Sequence, residues 1–476
     1  MPRNPFSSAA DSTPGLFSRD FLWATLGTVS LCFLAAFESL AVTTIMPVVS
    51  AELHGASLYA LAFSGPLATG IIGMVAGGNW ADRVGPTLPL YTSVAAFIVG
   101  LLIAGTATSM VALVAGRLVQ GFGAGAMIVA LYVVVARAFP ARLHPSIFAG
   151  FAAAWVIPSL IGPVAAGAVT EIWSWHWVFL GVVALVVFAM AMVVPAMHSL
   201  SGPARFGEAD AVGEPAVAPW SVGRILWAVV AAVAVLGLSL LSTLPAVGGL
   251  LAGIAVAVAI IAVRPLVPRG TLTARRGLPS VILTRGVIAA SFFGAEVYLP
   301  YLLIDHYDFS ATLAGLALTL AALAWASASW LQGRLAGRLT HVGSMRIGSS
   351  IVVTAIAFTF ATALWGLPAI VAIIGWGVGG AGMGLMYPRT SVMTLALSTS
   401  ENQGFNSSAL SISDSLGASL ALATTGIIFV QFSFAGVFAL AGVIAVFAVA
   451  LSPRVSPDRP AEAHVAGSTQ PGVAGA

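Results

Sequence analysis

The segment from Met110 to Arg137 reads MVALVAGRLVQGFGAGAMIVALYVVVAR. A helix needs about 20 mostly apolar residues, at 1.5 Å each, to cross a bilayer, and this run is long enough. It ends on one arginine, Arg137, and encloses another, Arg117. Working outward, apolar runs of similar length recur at about 21–49, 57–78, 88–106, 146–170, 177–196, 222–241, 244–264, 280–304, 310–332, 346–365, 368–389, 403–429 and 432–451. With 110–137 they predict fourteen spans. The chain has no lysine, and 18 of its 19 basic residues fall in or beside alternate gaps. The opposite gaps are short and carry Glu52, Glu171, Asp305 and Asp308. By the positive-inside rule, both termini lie in the cytoplasm. Arg117 is the exception and needs its own explanation.

Composition agrees. The chain is 59% hydrophobic and 7% charged, with a mean hydropathy of +1.02. Soluble domains carry about 25% charged residues, so these charges cannot cover a water-facing surface. A formal charge of +3 spread along one rim suits anionic lipid headgroups rather than nucleic acid. The single cysteine, Cys32, excludes a disulfide framework. The seven histidines are dispersed without metal-ligand spacing, and no phosphate-binding loop is present. No metal or cofactor is expected, and ATP is not expected as the energy source.

The organisation follows from the gaps. Residues 1–20 form a polar cytoplasmic segment and 21–197 a first six-helix bundle. Residues 198–221 are a Gly/Pro/acid-containing linker, and 222–264 an inserted hairpin of two spans. A cytoplasmic loop occupies 265–279, a second six-helix bundle 280–452, and a disordered cytoplasmic tail 453–476. The expected fold is all-α: two six-helix bundles plus the hairpin. Internal duplication of this kind is common in transporters.

Four ionisable residues sit deep in apolar runs: Glu38, Arg117, Glu296 and Asp414. Each lies roughly 10–20 Å from the nearer span end. A charge at the bilayer centre costs at least about 2.5–3.5 kcal/mol, so four unpaired ones would cost roughly 10 kcal/mol or more. The cheaper arrangement turns them toward one shared internal cavity. Burial disfavours an ionised carboxyl and a nearby arginine favours it. A group pulled both ways can exchange protons as a cavity opens to each side in turn. Glu38 is the first candidate for proton coupling. Arg117 is a relay partner or a clamp on backbone carbonyls. Glu296 is a second proton site or a contact for a cationic substrate. Asp414, flanked by Ser411, Ser413 and Ser415, is either a proton site or a hydrogen-bonded structural acid.

After the second span comes Gly78-Asn79-Trp80-Ala81-Asp82-Arg83-Val84-Gly85. It resembles the loop signature of the major facilitator superfamily: Gly, three residues, Asp-Arg, one residue, Gly. The pattern usually continues into basic residues, where Pro86 and Thr87 stand here. Gly78 would let two helices approach, and Asp82 would cap a helix or pair with an arginine across the halves. Gly78, Asp82, Arg83 and Gly85 are therefore expected to form a conformational latch. Gly333 to Arg338 is a degraded copy, with Gly337 in place of the acid.

Two further segments are similar to motifs of that family. Arg117-Leu118-Val119-Gln120-Gly121-Phe122-Gly123-Ala124-Gly125 resembles its fourth-helix motif, in which the arginine is tied to proton transfer. Pro158 to Gly167 resembles the fifth-helix motif associated with antiporters, with Pro158 and Ala166 where glycines are usual. Gly121, Gly125, Gly162, Pro163 and Gly167 are the helix-packing positions this implies. Glu38 with Pro47 nine residues later, and Trp175-His176-Trp177, resemble features of the fourteen-span drug:proton antiporter branch, with Glu for Asp and His for Arg. Trp173, Trp175 and Trp177 are expected in an interfacial belt. Tyr298, two residues from Glu296, is the aromatic expected to line a substrate cavity.

The resemblance implies a proton-coupled exporter of amphiphilic drug-like or lipid-like molecules. It would be monomeric, in contact with membrane lipid, and located in a bacterial inner membrane. The nearest rival is an importer or uniporter of a metabolite. A membrane-embedded lipid-modifying enzyme is disfavoured, because the external loops are too short for a catalytic site. A transport-dead sensor would leave four buried charges without a purpose.

Overall fold

The computed structural model describes residues 15–18, 21–200, 221–241, 248–334, 338–399 and 402–456. Most of the expected linker, the expected tail and the centre of the degraded second motif lie outside the described residues. The helices are α1 (Leu22–Glu52), α2 (Tyr59–Val84), α3 (Thr87–Gly105), α4 (Met110–Ala138), α5 (His144–Ile172), α6 (His176–Leu200), α7 (Val222–Leu240), α8 (Gly248–Val263), α9 (Leu278–Glu296), α10 (Tyr298–Tyr307), α11 (Ala311–Arg334), α12 (His341–Trp365), α13 (Ala369–Ala396) and α14 (Gln403–Leu451).

Among the described residues, twelve helices are long and apolar enough to cross a membrane, with α9 and α10 counted as one. The chain is a multi-pass membrane protein. α8 is shorter, at 16 residues. α14 is broken at Ser433, whose φ of 54° and ψ of −157° are not helical. The run expected at 280–304 is likewise two helices, meeting at Val297.

Local chemistry sets the helix ends. Ser109 caps α4 by accepting from Ala112 N, and Thr340 caps α12 by accepting from Gly343 N at 3.0 Å. Gly85, at φ 85°, ends α2 in a conformation that suits glycine. The helices carrying Arg83, Arg137, Arg334 and Arg346 place them toward one side, called here the basic end. Glu52, Glu171 and Asp305 lie at the other, the acidic end.

α1 packs on α5 and α6 and α4 on α2 and α3, and these helices are called here the first bundle; α9 packs on α14 and α13 on α11 and α12, and these are called the second. Glycines let α2 and α4 cross closely. A Cβ on Gly125 would fall 2.2 Å from Gly70 O, and one on Gly121 would fall 2.3 Å from Pro66 Cα. Gly78, expected to serve that role, has ordinary clearance, 3.4 Å to Val129. The close approach lies just before it, at Gly73 and Gly77, where a Cβ would fall 2.2 Å from Phe122 O and 3.0 Å from Ala126 Cα. Gly125→Ala should therefore destabilise the bundle by about 1–3 kcal/mol, because backbone cannot rotate away as a side chain can. Gly78→Ala should be near neutral. Thermal unfolding of the two variants in detergent checks this.

The described hydrogen bonds between the bundles run from mid-span to the acidic end. Tyr59 Oη donates to Val297 O at 2.7 Å, Thr312 N to Glu171 Oε1 at 2.7 Å, and Thr319 Oγ1 to Leu160 O at 3.1 Å. Tyr59 also packs on Tyr298 and Tyr301, which in turn meet Phe429. Tyr298 is thus buried in the acidic-end seal, and not on a cavity wall as expected. Gly167 and Gly315 bring α5 and α11 together there, at Thr312 and Pro163. The tryptophan belt divides. Trp173 and Trp177 are exposed, but Trp175 is buried, with its Nε1 donating to Glu52 Oε2 at 3.0 Å. A buried indole N–H needs an acceptor, and the end of α1 supplies one.

Candidate functional site

The first bundle brings Glu38 and Arg117 together. Glu38 stands on α1 and Arg117 on α4, joined by an ion pair from Arg117 Nη1 to Glu38 Oε1. Both are almost fully buried. Arg117 Nη1 also donates to Gln120 Oε1 at 2.8 Å, and its Nε to Ala62 O at 3.2 Å. The last bond has a cause in the sequence. Pro66, inside α2, has no N–H to offer the carbonyl four residues back, which is that of Ala62. Arg117 takes the freed acceptor, so it is both partner of Glu38 and clamp on α2. Gln120 Nε2 is buried without a hydrogen bond.

The second bundle holds a separate pair that sequence reasoning half missed. Asp414, on α14, accepts from Arg285 Nε at 2.7 Å and from Tyr387 Oη at 2.5 Å. Arg285 Nη1 donates to Tyr387 O at 3.1 Å and Thr390 Oγ1 at 2.9 Å. Its guanidinium lies 3.2 Å from the centre of the Tyr387 ring, within cation–π range. Of the three serines flanking Asp414, Ser411 bonds Ser407 O and Ser413 bonds Ile282 O, and none bonds Asp414 among the described residues. Arg285 is one of the 18 basic residues that the sequence reading sets in or beside alternate gaps. It lies two turns inside α9, whose start is marked by Gly277 and Pro279. That Pro signal could have found it.

Glu296 ends α9, half-buried beside the Trp376 indole, whose Nε1 is buried without a hydrogen bond. No ion pair to Glu296 exists among the described residues. The four ionisable groups therefore do not meet in one place. Glu38 and Arg117 form one centre, Asp414 with Arg285 another, and Glu296 stands apart. Arg117 and Arg285 are each paired with a carboxylate. Breaking such a buried pair by removing one partner is strongly destabilising.

In the latch segment, Arg83 is half-buried and Asp82 is exposed. Asp82 makes no hydrogen bond or ion pair among the described residues. Asn79 is tied instead to the start of α7: its Oδ1 accepts from Ser221 N at 3.1 Å and from Ser221 Oγ. Among the described residues, no group of three or more His, Cys, Asp or Glu side chains could hold a metal.

Two helical bundles closed at one end, one enclosing a buried charge pair and the other a half-buried one, define a membrane transporter of the two-bundle type. The chain belongs to the Major Facilitator Superfamily, which it matches over residues 28–383 and 281–474. It is 23% identical over 384 residues to the multidrug efflux pump SdrM of Staphylococcus aureus, covering 77% of this chain and 80% of that one. It is 25% identical over 371 residues to Rv1634 of Mycobacterium tuberculosis, described as a probable multidrug-efflux transporter, covering 74% and 75%. Fungal relatives match over shorter stretches, one of them over 40% of its own length. Among solved structures, the fold is similar to that of the peptide transporter POT, with a TM-score of 0.65 at 15% identity over 91% of this chain and 95% of that one.

Proposed function

We propose that the chain is a proton-driven exporter of amphiphilic small molecules. It works by alternating access in a bacterial inner membrane, with the basic end in the cytoplasm. The observation that carries this reading is the buried Glu38–Arg117 pair. A proton arriving on Glu38 removes its Coulomb attraction to Arg117. Arg117 is still held by Ala62 O and Gln120 Oε1, so α1 is released from α4 while α4 stays on α2. Proton binding thus becomes a change in helix packing. The closed acidic end is read as the state open to the cytoplasm, in which an unpaired Asp82 corresponds to a released latch. Asp414 and Glu296 are assigned to the substrate side of the cycle. Efflux from vesicles with an imposed pH gradient tests the reading. Movement of substrate indifferent to that gradient would remove it.

We also propose fourteen spans, with α8 and the two arms of α14 counted separately and α7–α8 as the inserted hairpin. The hairpin is fastened to the first bundle at two levels, by Asn79 to Ser221 and by Ser64 Oγ to Ser239 Oγ at 2.9 Å. An apolar cluster including Ala68, Ile71, Val235, Ala259, Ile412 and Leu416 joins α2, α7, α8 and α14. Toward the second bundle, Arg224 lies over the Phe405 ring at 4.8 Å. α7 should therefore travel with the first bundle and slide on α14. In a Cys32→Ser background, a disulfide between Ser64→Cys and Ser239→Cys should leave export intact. Joining Arg224→Cys to Phe405→Cys with a reducible bifunctional thiol cross-linker should stop it until reduced. Efflux before and after reduction checks this, and the reverse pattern would assign the hairpin to the second bundle.

A further inference from the structure

The two charge pairs differ in access. The side chains of Arg117 and Glu38 are 6% and 4% exposed, and those of Arg285 and Asp414 are 13% and 24% exposed. The first pair is sealed, and the second can be reached. The bonds within the second pair are also one-sided. Arg285 uses Nε and Nη1, and Asp414 uses Oδ1 for both of its donors. Arg285 Nη2 and Asp414 Oδ2 have no partner among the described residues. Neither is an enclosed orphan, since neither belongs to the buried atoms left without a bond. One donor of a cation and one acceptor of an anion are thus presented side by side. Tyr387 fixes both charges, through its hydroxyl on Asp414 and its ring under Arg285. Its ring also begins an aromatic wall, edge-on to Trp325 at 5.1 Å and to Phe293 at 6.1 Å.

We propose that this pair reads the charge pattern of the substrate and selects dipolar amphiphiles, which carry an anionic and a cationic group near an aromatic body. The proposal rests on the export reading and narrows its substrate class. The anionic group takes Arg285 Nη2 and the cationic group takes Asp414 Oδ2, while the body lies on Trp325 and Phe293. Every charge in such a complex keeps an opposite partner. A monocation would satisfy Asp414 but set a like charge beside Arg285, and an anion would do the converse. Like-charge juxtaposition in a desolvated site is a strong element of discrimination. Tyr387 is a positioning residue here, because it orients both charges.

The test uses three probes with one xanthene body: rhodamine B, which is dipolar, its ethyl ester, which is a monocation, and fluorescein, which is anionic. Binding to the full chain in lipid nanodiscs is read by fluorescence polarisation, independently of transport. Rhodamine B should bind at least about tenfold more tightly than its ester, a difference of about 1.4 kcal/mol. Arg285→Gln should reverse that preference, and Tyr387→Phe should narrow it while leaving the protein folded. Equal or tighter binding of the ester to the unmodified chain overturns the proposal, whatever the variants do. Gradient-driven export that favours the ester would leave the export reading standing and overturn only the selectivity.

Discussion

Replacing Glu38 by Gln should abolish concentrative export and leave substrate-for-substrate exchange running. Glutamine keeps the size of the side chain and can accept from Arg117 through its amide oxygen, but it cannot titrate. The Coulomb attraction to Arg117 is then absent in every state, as it is in the protonated state of the proposed cycle. The bundles can still rock around a bound substrate, yet no proton gradient can bias the direction. In vesicles with an imposed pH gradient, net efflux should fall to that of protein-free vesicles. Exchange of labelled for unlabelled substrate without a gradient should stay within about threefold of the native rate, since Arg117 retains Ala62 O and Gln120 Oε1. Arg117→Leu is the informative contrast. It strands a carboxylate in a nearly closed site, and breaking a buried pair in this way costs about 3–5 kcal/mol. That variant should lose stability as well as transport. Undiminished gradient-driven efflux by Glu38→Gln would remove Glu38 as the proton carrier.

Much of the fold was legible because the bilayer imposes a simple code: apolar length for spans, arginine for sidedness. Where the code is blurred, the reading blurred with it. The run at 280–304 hid a break at Val297, whereas the backbone parts the last two runs at the non-helical Ser433, beside the gap read between them. The pairing of Glu38 with Arg117 was expected on energetic grounds. A clamp of Arg117 on backbone carbonyls was one of its two expected roles; that the carbonyl is Ala62 O was not read, although Pro66 leaves it free and is plain in the sequence. Arg285 was missed because sidedness was read by proximity to a basic loop, and three-dimensional partners do not follow proximity. Its anchor, Tyr387, comes from α13, over 100 residues away. No single-sequence pattern carries such a contact. The same limit applies to Tyr298, whose nearness to Glu296 in sequence gave no hint that it turns toward Tyr59 instead.

The closed acidic end leads to the second large effect. Gly167→Ala should shift the resting equilibrium away from the state described here. A Cβ on Gly167 would sit 2.7 Å from both Thr312 N and Thr312 Cα, which are backbone atoms. The same Thr312 N donates to Glu171 Oε1. A single methyl would thus push α5 from α11 and stretch the bond that fastens them. Overpacking of this kind costs about 1–3 kcal/mol. Here the cost falls on one conformation only, because the clash vanishes once the two helices part. An equilibrium between the two states should move by about 5–150-fold toward the one open at the acidic end. Gly162 lies in the same motif and gives the control. Its Cβ would meet Phe37 at ordinary contact distances, the ring at 3.5 Å and the carbonyl oxygen at 3.8 Å, so Gly162→Ala should change little. Distances between spin labels at the acidic-end tips of α5 and α11 should lengthen in Gly167→Ala and stay native in Gly162→Ala. Transport should slow in the first alone, because the cycle must pass through the state that the methyl disfavours. Native distances and a native rate in Gly167→Ala would mean that the α5–α11 contact does not govern closure, and that the Tyr59 seal carries it instead.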